Sequence, residues 1–320
     1  MLMNFEILFN FCMVMGVTIA MSSNNWLTIW LGLELSMMCF VPVMSNKFKL
    51  NSESCIKYFI IQSLSSSIMM MGVIMMSMFI SNTTILSMSI MLKLGVSPLH
   101  TWVISIIEGM SYYSIFIMFT LMKLAPINML SYINENFDLF IIFGLLVGSI
   151  SGLNQNSIKK ILTYSSIFNM SLIISSLNSM EIWLTFFFVY SISLMLMNYL
   201  IMKLNFNFIN QMMINNFNIY VKMCCWFAIL SMGGFPPLPG FFAKLMVIKL
   251  LIMNNEFMII AIMMMTSLIV MFFYTRMVIL SIILFFNMPK WLMSNKLNFN
   301  SFAIMTSFML PLMVLNLKSL

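Results

Sequence analysis

Stretches of about 20 residues in which apolar side chains follow one another with hardly a charge recur along the whole chain, and each is long enough to cross the ~30 Å hydrocarbon core of a bilayer as a helix. Eleven can be marked, at approximately 3–22, 26–45, 57–80, 85–108, 112–133, 138–153, 158–177, 180–203, 222–251, 257–286 and 299–317. Within lipid every backbone amide and carbonyl must find its partner inside the protein, and a helix does this within one segment. Only 7% of the 320 residues are charged and 62% are hydrophobic, with a mean hydropathy of +1.04. A soluble domain has about a quarter of its residues charged. The expected fold is therefore all-α, a polytopic membrane protein of about 11 transmembrane helices.

The loop charges test that count independently. If the spans alternate in direction, one side of the membrane receives the amino terminus and Lys47, Lys49, Lys57, Lys159, Lys160, Lys203, Lys222, Lys290 and Lys296. The other receives Glu135, Asp138, Glu181 and Glu256, with no lysine until Lys318. One missed or invented span would scramble this segregation. By the positive-inside rule the lysine side faces the cytoplasm or, in a mitochondrion, the matrix. The amino terminus is expected inside and the carboxy terminus outside. The first apolar run, Ile7 to Met21, passes into the second without a cleavage-like stretch and is expected to remain a span.

Two spans are interrupted. The fourth is broken near 95–98, at Gly95 to Pro98, and the ninth near 232–240, in Met232-Gly233-Gly234-Phe235-Pro236-Pro237-Leu238-Pro239-Gly240, where no regular helix persists. Splitting the chain after the fifth span makes each interrupted helix the fourth of a five-helix unit. Five is odd, so the second unit is upside down relative to the first. The expected organisation is a first repeat at 1–134, a second, inverted repeat at 135–287, and a loop with a final helix at 288–320. Inverted repeats with broken helices at matching positions point to an ion or substrate site at mid-membrane.

Four ionisable side chains fall well inside spans: Glu34 in the second, Lys93 just before the first break, Lys123 in Leu121-Met122-Lys123-Leu124-Ala125-Pro126, and Lys244 just after the second break. A charge at the bilayer centre costs about 2.5–3.5 kcal/mol on insertion scales. An unwound turn frees carbonyls and admits water, so an ammonium can exist there and exchange its proton. Desolvation favours a neutral amine and a nearby carboxylate favours the ammonium, so a lysine whose carboxylate comes and goes is a proton switch. The plainer alternative for Glu34 with Lys93 is a static ion pair pinning two helices. His100, the only histidine, is either a relay between Lys93 and Lys123 or hydrogen-bonded filler. Glu108 and Arg276 lie near expected helix ends, where snorkelling accounts for them. Asn82-Thr83-Thr84 fits a glycosylation acceptor, a three-residue pattern of little weight.

Other chemistries lack their residues. Cys12, Cys39, Cys55, Cys224 and Cys225 contain no C-x-x-C pair, so no zinc, haem or iron–sulfur ligand set can be assembled with one histidine. No glycine-rich nucleotide loop is present. The formal charge of +7 is scattered singly between apolar runs and makes no nucleic-acid stripe. The 42 methionines, with a single arginine, suggest an A+T-rich organellar genome that reads an extra codon as Met.

The stretches Trp30 to Ser36, Lys93 to Trp102, Met122 to Pro126, Gly152 to Lys160 and Ser231 to Lys244 together resemble the antiporter-like membrane subunits of animal mitochondrial NADH dehydrogenase, respiratory complex I, in the second-subunit branch of insects and related invertebrates. The resemblance runs nearly the whole length. It implies a truncated antiporter fold of eleven helices with a hydrophilic axis at mid-membrane. In it Glu34 corresponds to the carboxylate partner, Lys93 to the central lysine, Lys123 to the connecting lysine and Lys244 to the lysine of the second broken helix, in that lateral order. It further implies a multi-pass protein of the mitochondrial inner membrane, with other complex I membrane subunits, neighbouring antiporter-like subunits and lipids as partners and no nucleic acid. The NADH, FMN, iron–sulfur clusters and ubiquinone of such a complex would be used elsewhere, with no cofactor in this chain. The sequence departs from the family's usual pattern at Leu99 and Thr101, where Phe is common, at Ala243, often Pro, and at Asn169, often a histidine. Asparagine does not titrate, so a relay through that helix would use water or another route. The leading expectation is a proton-translocating subunit coupled to redox chemistry in other subunits. The alternatives are a free-standing cation/proton antiporter, to which broken inverted repeats apply equally, and a purely structural membrane subunit.

Overall fold

The computed structural model of the chain describes residues 2–45, 49–78, 83–133, 135–214 and 219–286. The expected eleventh span, the 288–320 segment with Lys290, Lys296 and Lys318, and also Lys47 and Asn82, lie outside the described residues. Those that are described form helices and turns, with one isolated antiparallel bridge between Ser157 and Phe208. Among the described residues six helical stretches are long and apolar enough to cross a membrane: Phe5–Ser22, Trp26–Met44, Leu50–Ser77, Tyr112–Leu130, Met180–Leu204 and Phe257–Ile282. The chain divides into two compact units, Met1–Phe140 and Ile141–Leu320.

The first unit opens with helices α1 (Leu2–Ser22) and α2 (Trp26–Met44), which cross glycine against glycine. A Cβ on Gly16 would stand 2.8 Å from the Gly32 carbonyl oxygen, and one on Gly32 2.7 Å from that of Gly16. Helices α3 (Lys49–Ser77) and α4 (Thr84–Leu94) follow. The 29 residues of α3 begin eight positions earlier than the expected span, because an i,i+4 ion pair of Glu53 and Lys57, 2.5 Å apart and exposed, carries the helix past its apolar part. At the start of α4, Glu135 accepts hydrogen bonds from the Thr83 and Ser87 hydroxyls, the latter at 2.6 Å. A carboxylate there also meets the positive end of the helix dipole. After the break comes α5 (Thr101–Ile107).

The fifth span is two helices, α6 (Tyr112–Phe119) and α7 (Leu121–Leu130). They part at Thr120, whose φ of −113° and ψ of −86° are non-helical and whose hydroxyl donates to the Phe116 carbonyl at 2.7 Å. Threonine back-bonding competes with the backbone ladder and bends helices, and without a Gly or Pro at the site this third break left no plain sequence signal.

In the second unit, α8 (Asp138–Leu153) presents Gly144 and Gly148 to Ser171 and Phe168 of α9 (Ile158–Ser175). From Ile161 onward α9 is buried on every side although it is rich in Ser and Thr. Its serines donate to their own helix three residues back, as Ser165 does to Leu162 at 2.9 Å and Ser166 to Thr163 at 2.7 Å. Helix α10 (Met180–Leu204) ends on Asn205 in the left-handed region, φ 54°. The short α11 (Ile209–Ile214), not expected from the sequence, follows a turn in which Gln211 accepts from the Asn207 amide at 2.6 Å. Helices α12 (Ile219–Gly233) and α13 (Pro239–Met253) are the halves of the broken ninth span, and α14 (Phe257–Phe286) closes the described chain. Phe143, Phe188, Met195, Leu268 and Phe272 are exposed on outward faces, an apolar surface suited to lipid.

Candidate functional site: buried lysines at two helix breaks

Both breaks are built the same way. Helix α4 ends with Gly95 at φ 68°; the Val96 amide donates to the Met91 carbonyl and the Gly95 amide to that of Leu92, each at 3.2 Å. Helix α12 ends with Gly234 at φ 78°; the Phe235 amide donates to Leu230 and the Gly234 amide to Ser231, again each at 3.2 Å. This is the Schellman closure, which needs a left-handed residue and therefore favours glycine. At each break one further carbonyl is capped by a long side chain. Gln62 of α3 donates its amide to the Lys93 carbonyl at 3.3 Å, and the Lys244 ammonium donates to that of Gly233 at 2.8 Å.

Lys93 sits two residues before its glycine, in the last turn of α4, with its own backbone held by Gln62 and its side chain half-buried. Lys123 lies one turn past the Thr120 break, 5% exposed, with its ammonium 4.8 Å from the centre of the Phe119 ring. The two lysines line one cavity of about 30 Å³, together with Ser36, Tyr58, Gln62 and Trp102. That is room for about two water molecules. The indole N–H of Trp102 is buried and has no hydrogen-bond partner among the described residues, so the wall offers water a donor.

Glu34 is half-buried on α2, beside the cavity-lining Leu33 and Ser36, and its charge acts on both Lys93 and Tyr58. No ion pair within 4 Å joins Glu34 and Lys93 among the described residues. The structure thus brings three of the expected site residues, Glu34, Lys93 and Lys123, to one place in the first unit. His100 is half-buried in the turn before α5, its Nδ1 3.2 Å from the Pro98 carbonyl oxygen, and does not line the cavity.

In the second unit Lys244 is 7% exposed, with its ammonium 5.4 Å from the centre of the Phe168 ring. It lines a second cavity, of about 20 Å³, with Asn169, Tyr190, Ser193 and Ser231, room for about one water. Asn169, where the family often has a histidine, is therefore part of this lining. Arg276 does not snorkel: its two Nη groups donate to the Leu153 and Gln155 carbonyls, at 3.2 and 3.3 Å, where α8 ends. Gln62 and Tyr190 escaped the sequence reading because they carry no charge, although a lone Gln or Tyr in an apolar span is itself a signal.

A helical bundle of membrane-spanning length, with buried lysines at its helix breaks and a carboxylate in reach of one of them, defines a class of ion-translocating membrane proteins. Residues 23–89 and 77–270 match the family described as NADH:quinone oxidoreductase/Mrp antiporter, TM, and the chain belongs to it. It is 36% identical over 267 residues to NADH-ubiquinone oxidoreductase chain 2 of Anopheles gambiae, covering 77% of each chain. With the protein of that description from Locusta migratoria the identity is 32% over 307 residues, covering 92% of this chain and 90% of the other. Among solved structures, it superposes with a TM-score of 0.76 on a chain of respiratory complex I from Thermus thermophilus, at 16% identity and over 98% of this chain and 77% of that one. A chain of the Mrp complex from a Dietzia species gives a TM-score of 0.67 at 15% identity, over 83% of this chain and 57% of that one. At such identities the likeness is one of fold.

Proposed function

We propose that this chain is a proton-translocating membrane subunit of a respiratory NADH:ubiquinone oxidoreductase in the mitochondrial inner membrane. The observation that carries the reading is the sharing of one water-sized cavity by Lys93 and Lys123, with the charge of Glu34 acting on Lys93. In such a cavity a proton can pass between two amines through water, and the carboxylate decides which amine keeps it. Lys244, on its own break, is the corresponding group of the second, inverted repeat. Electron transfer from NADH through flavin and iron–sulfur centres to ubiquinone takes place in other subunits, and this chain converts the resulting electrostatic change into proton movement. Other membrane subunits, including antiporter-like ones, are its partners, and its amino terminus faces the matrix.

The test is the intact enzyme, reconstituted in vesicles, carrying the equivalent of Lys93→Met or Lys123→Met. Each variant is expected to pump fewer protons per NADH oxidised. Unchanged rate and stoichiometry in both would overturn the lysine mechanism and favour a scaffolding subunit.

A further inference from the structure

The cavity shared by Lys93 and Lys123 contains a donor that the lysine scheme does not use. Trp102 of α5 is 7% exposed, lines that cavity, and carries a buried indole N–H without a hydrogen-bond partner among the described residues. The first helix break holds the ring in place. A Cβ added to Gly95 would stand 3.2 Å from Cζ2 and 3.4 Å from Cε2 of Trp102, so the edge of the indole next to its nitrogen rests on the glycine that closes α4. The ring of Tyr58, a further lining residue, has its centre 6.3 Å from that of Trp102. A buried donor left unpaired costs stability and calls for a partner. In a polar cavity with room for about two waters, water is that partner.

The other polar groups of the wall decide what such a water does. The Ser36 hydroxyl gives its proton to the Leu33 carbonyl at 2.8 Å, so it offers the cavity lone pairs only. The Gln62 amide group is already spent on the Lys93 carbonyl, at 3.3 Å. A water between an ammonium and a neutral amine accepts from the first and donates to the second, which leaves it one lone pair and one proton. The Trp102 N–H takes the lone pair, and the Ser36 oxygen can take the proton. Indole is a donor only, so it holds the water without competing for the transferred proton. Trp183 supplies the contrast. Its N–H is also buried and unpartnered among the described residues, but it lines neither the Lys93–Lys123 cavity nor that of Lys244.

We propose that Trp102 is a positioning residue whose indole N–H fixes a proton-carrying water between Lys93 and Lys123. The water receives a proton from the ammonium of one lysine as it passes one of its own to the neutral amine of the other. One N–H and one O–H bond break, one O–H and one N–H bond form, and both the water and the indole end unchanged. The role rests on the proton-translocating reading above.

The test uses the assembled enzyme in vesicles with Trp102→Phe, which removes the donor and keeps an aromatic ring. Trp183→Phe is the control for the loss of an equally buried indole N–H. Protons pumped per NADH and the H2O/D2O rate ratio under coupled turnover are measured, beside a water-resolving structure of the wild-type complex. Expected are a water about 2.7–3.2 Å from the Trp102 Nε1, fewer protons per NADH and a changed isotope ratio in Trp102→Phe, and wild-type values in Trp183→Phe. A wild-type structure with no water at that nitrogen would overturn the role, whether or not Trp102→Phe assembles. So would wild-type pumping in Trp102→Phe, or reduced pumping with the isotope ratio unchanged. Loss of pumping in Lys93→Met and Lys123→Met beside normal pumping in Trp102→Phe would overturn the role of Trp102 alone. Normal pumping in both lysine variants would overturn the reading on which it rests.

Discussion

At the scale of single residues, the polar atoms at the two breaks show how a membrane helix is interrupted without stranding its backbone. A carbonyl freed in lipid needs a donor, and the donors here are Gln62 and Lys244. Because Gln62 caps the first break, the ammonium of Lys93 is not held by it and can answer to Glu34. The Gln62→Leu variant is expected to leave the Lys93 carbonyl unpaired and to lower stability by about 1–3 kcal/mol, read as a lower melting temperature of the assembled complex. An unchanged melting temperature would mean that water replaces the amide without loss. The lysines and Glu34 were legible in the sequence because a charge inside an apolar run has few explanations. Gln62 and Tyr190 were not, since a neutral polar side chain is tolerated in many membrane helices, and only its neighbours reveal its use.

At the scale of elements, glycine sets two different features. Gly95 and Gly234 close the Schellman turns through positive φ, and both were visible beforehand as Gly/Pro interruptions. Gly16 and Gly32 act through contact, letting α1 and α2 approach until their backbones touch. This crossing holds the helix that carries Glu34, two residues beyond Gly32. A Gly32→Val substitution is expected to push α2 away from α1 and cost about 1–3 kcal/mol or more, with reduced assembly of the complex on native gels; normal assembly and stability would show that the crossing can relax. Gly95→Ala is expected to be damaging for a second reason, because its φ is disfavoured for L residues and its Cβ would run into Val103 and the Trp102 ring. The break at Thr120 belongs to the same scale and was read as continuous helix, since threonine back-bonding depends on a rotamer that the sequence does not specify.

At the scale of the whole molecule, each unit contains a Schellman-closed break, a buried lysine and a water-sized cavity. In the proposed orientation, with the amino terminus on the matrix side, Lys160 faces the matrix and Glu256 the opposite side. Single cysteines at Lys160→Cys and Glu256→Cys are expected to react with a membrane-impermeant maleimide from opposite sides, the first only in inside-out vesicles. Labelling of both from one side would remove the alternating topology on which the inverted repeat rests. What the sequence alone determined is the solvent of the protein, its helical class, its two glycine breaks and the charges it places inside apolar runs. All of these follow from local composition, because apolar length and a missing or left-handed residue act within a few turns of chain. The tertiary structure decided which of those charges share a space. Lys93 and Lys123 meet in one cavity although 29 residues and a helix pair separate them along the chain, and Lys244 faces Asn169 and Tyr190 across three helices. That choice depends on how close the helices approach and on which faces they turn to one another, and these are set by packing between residues far apart in sequence.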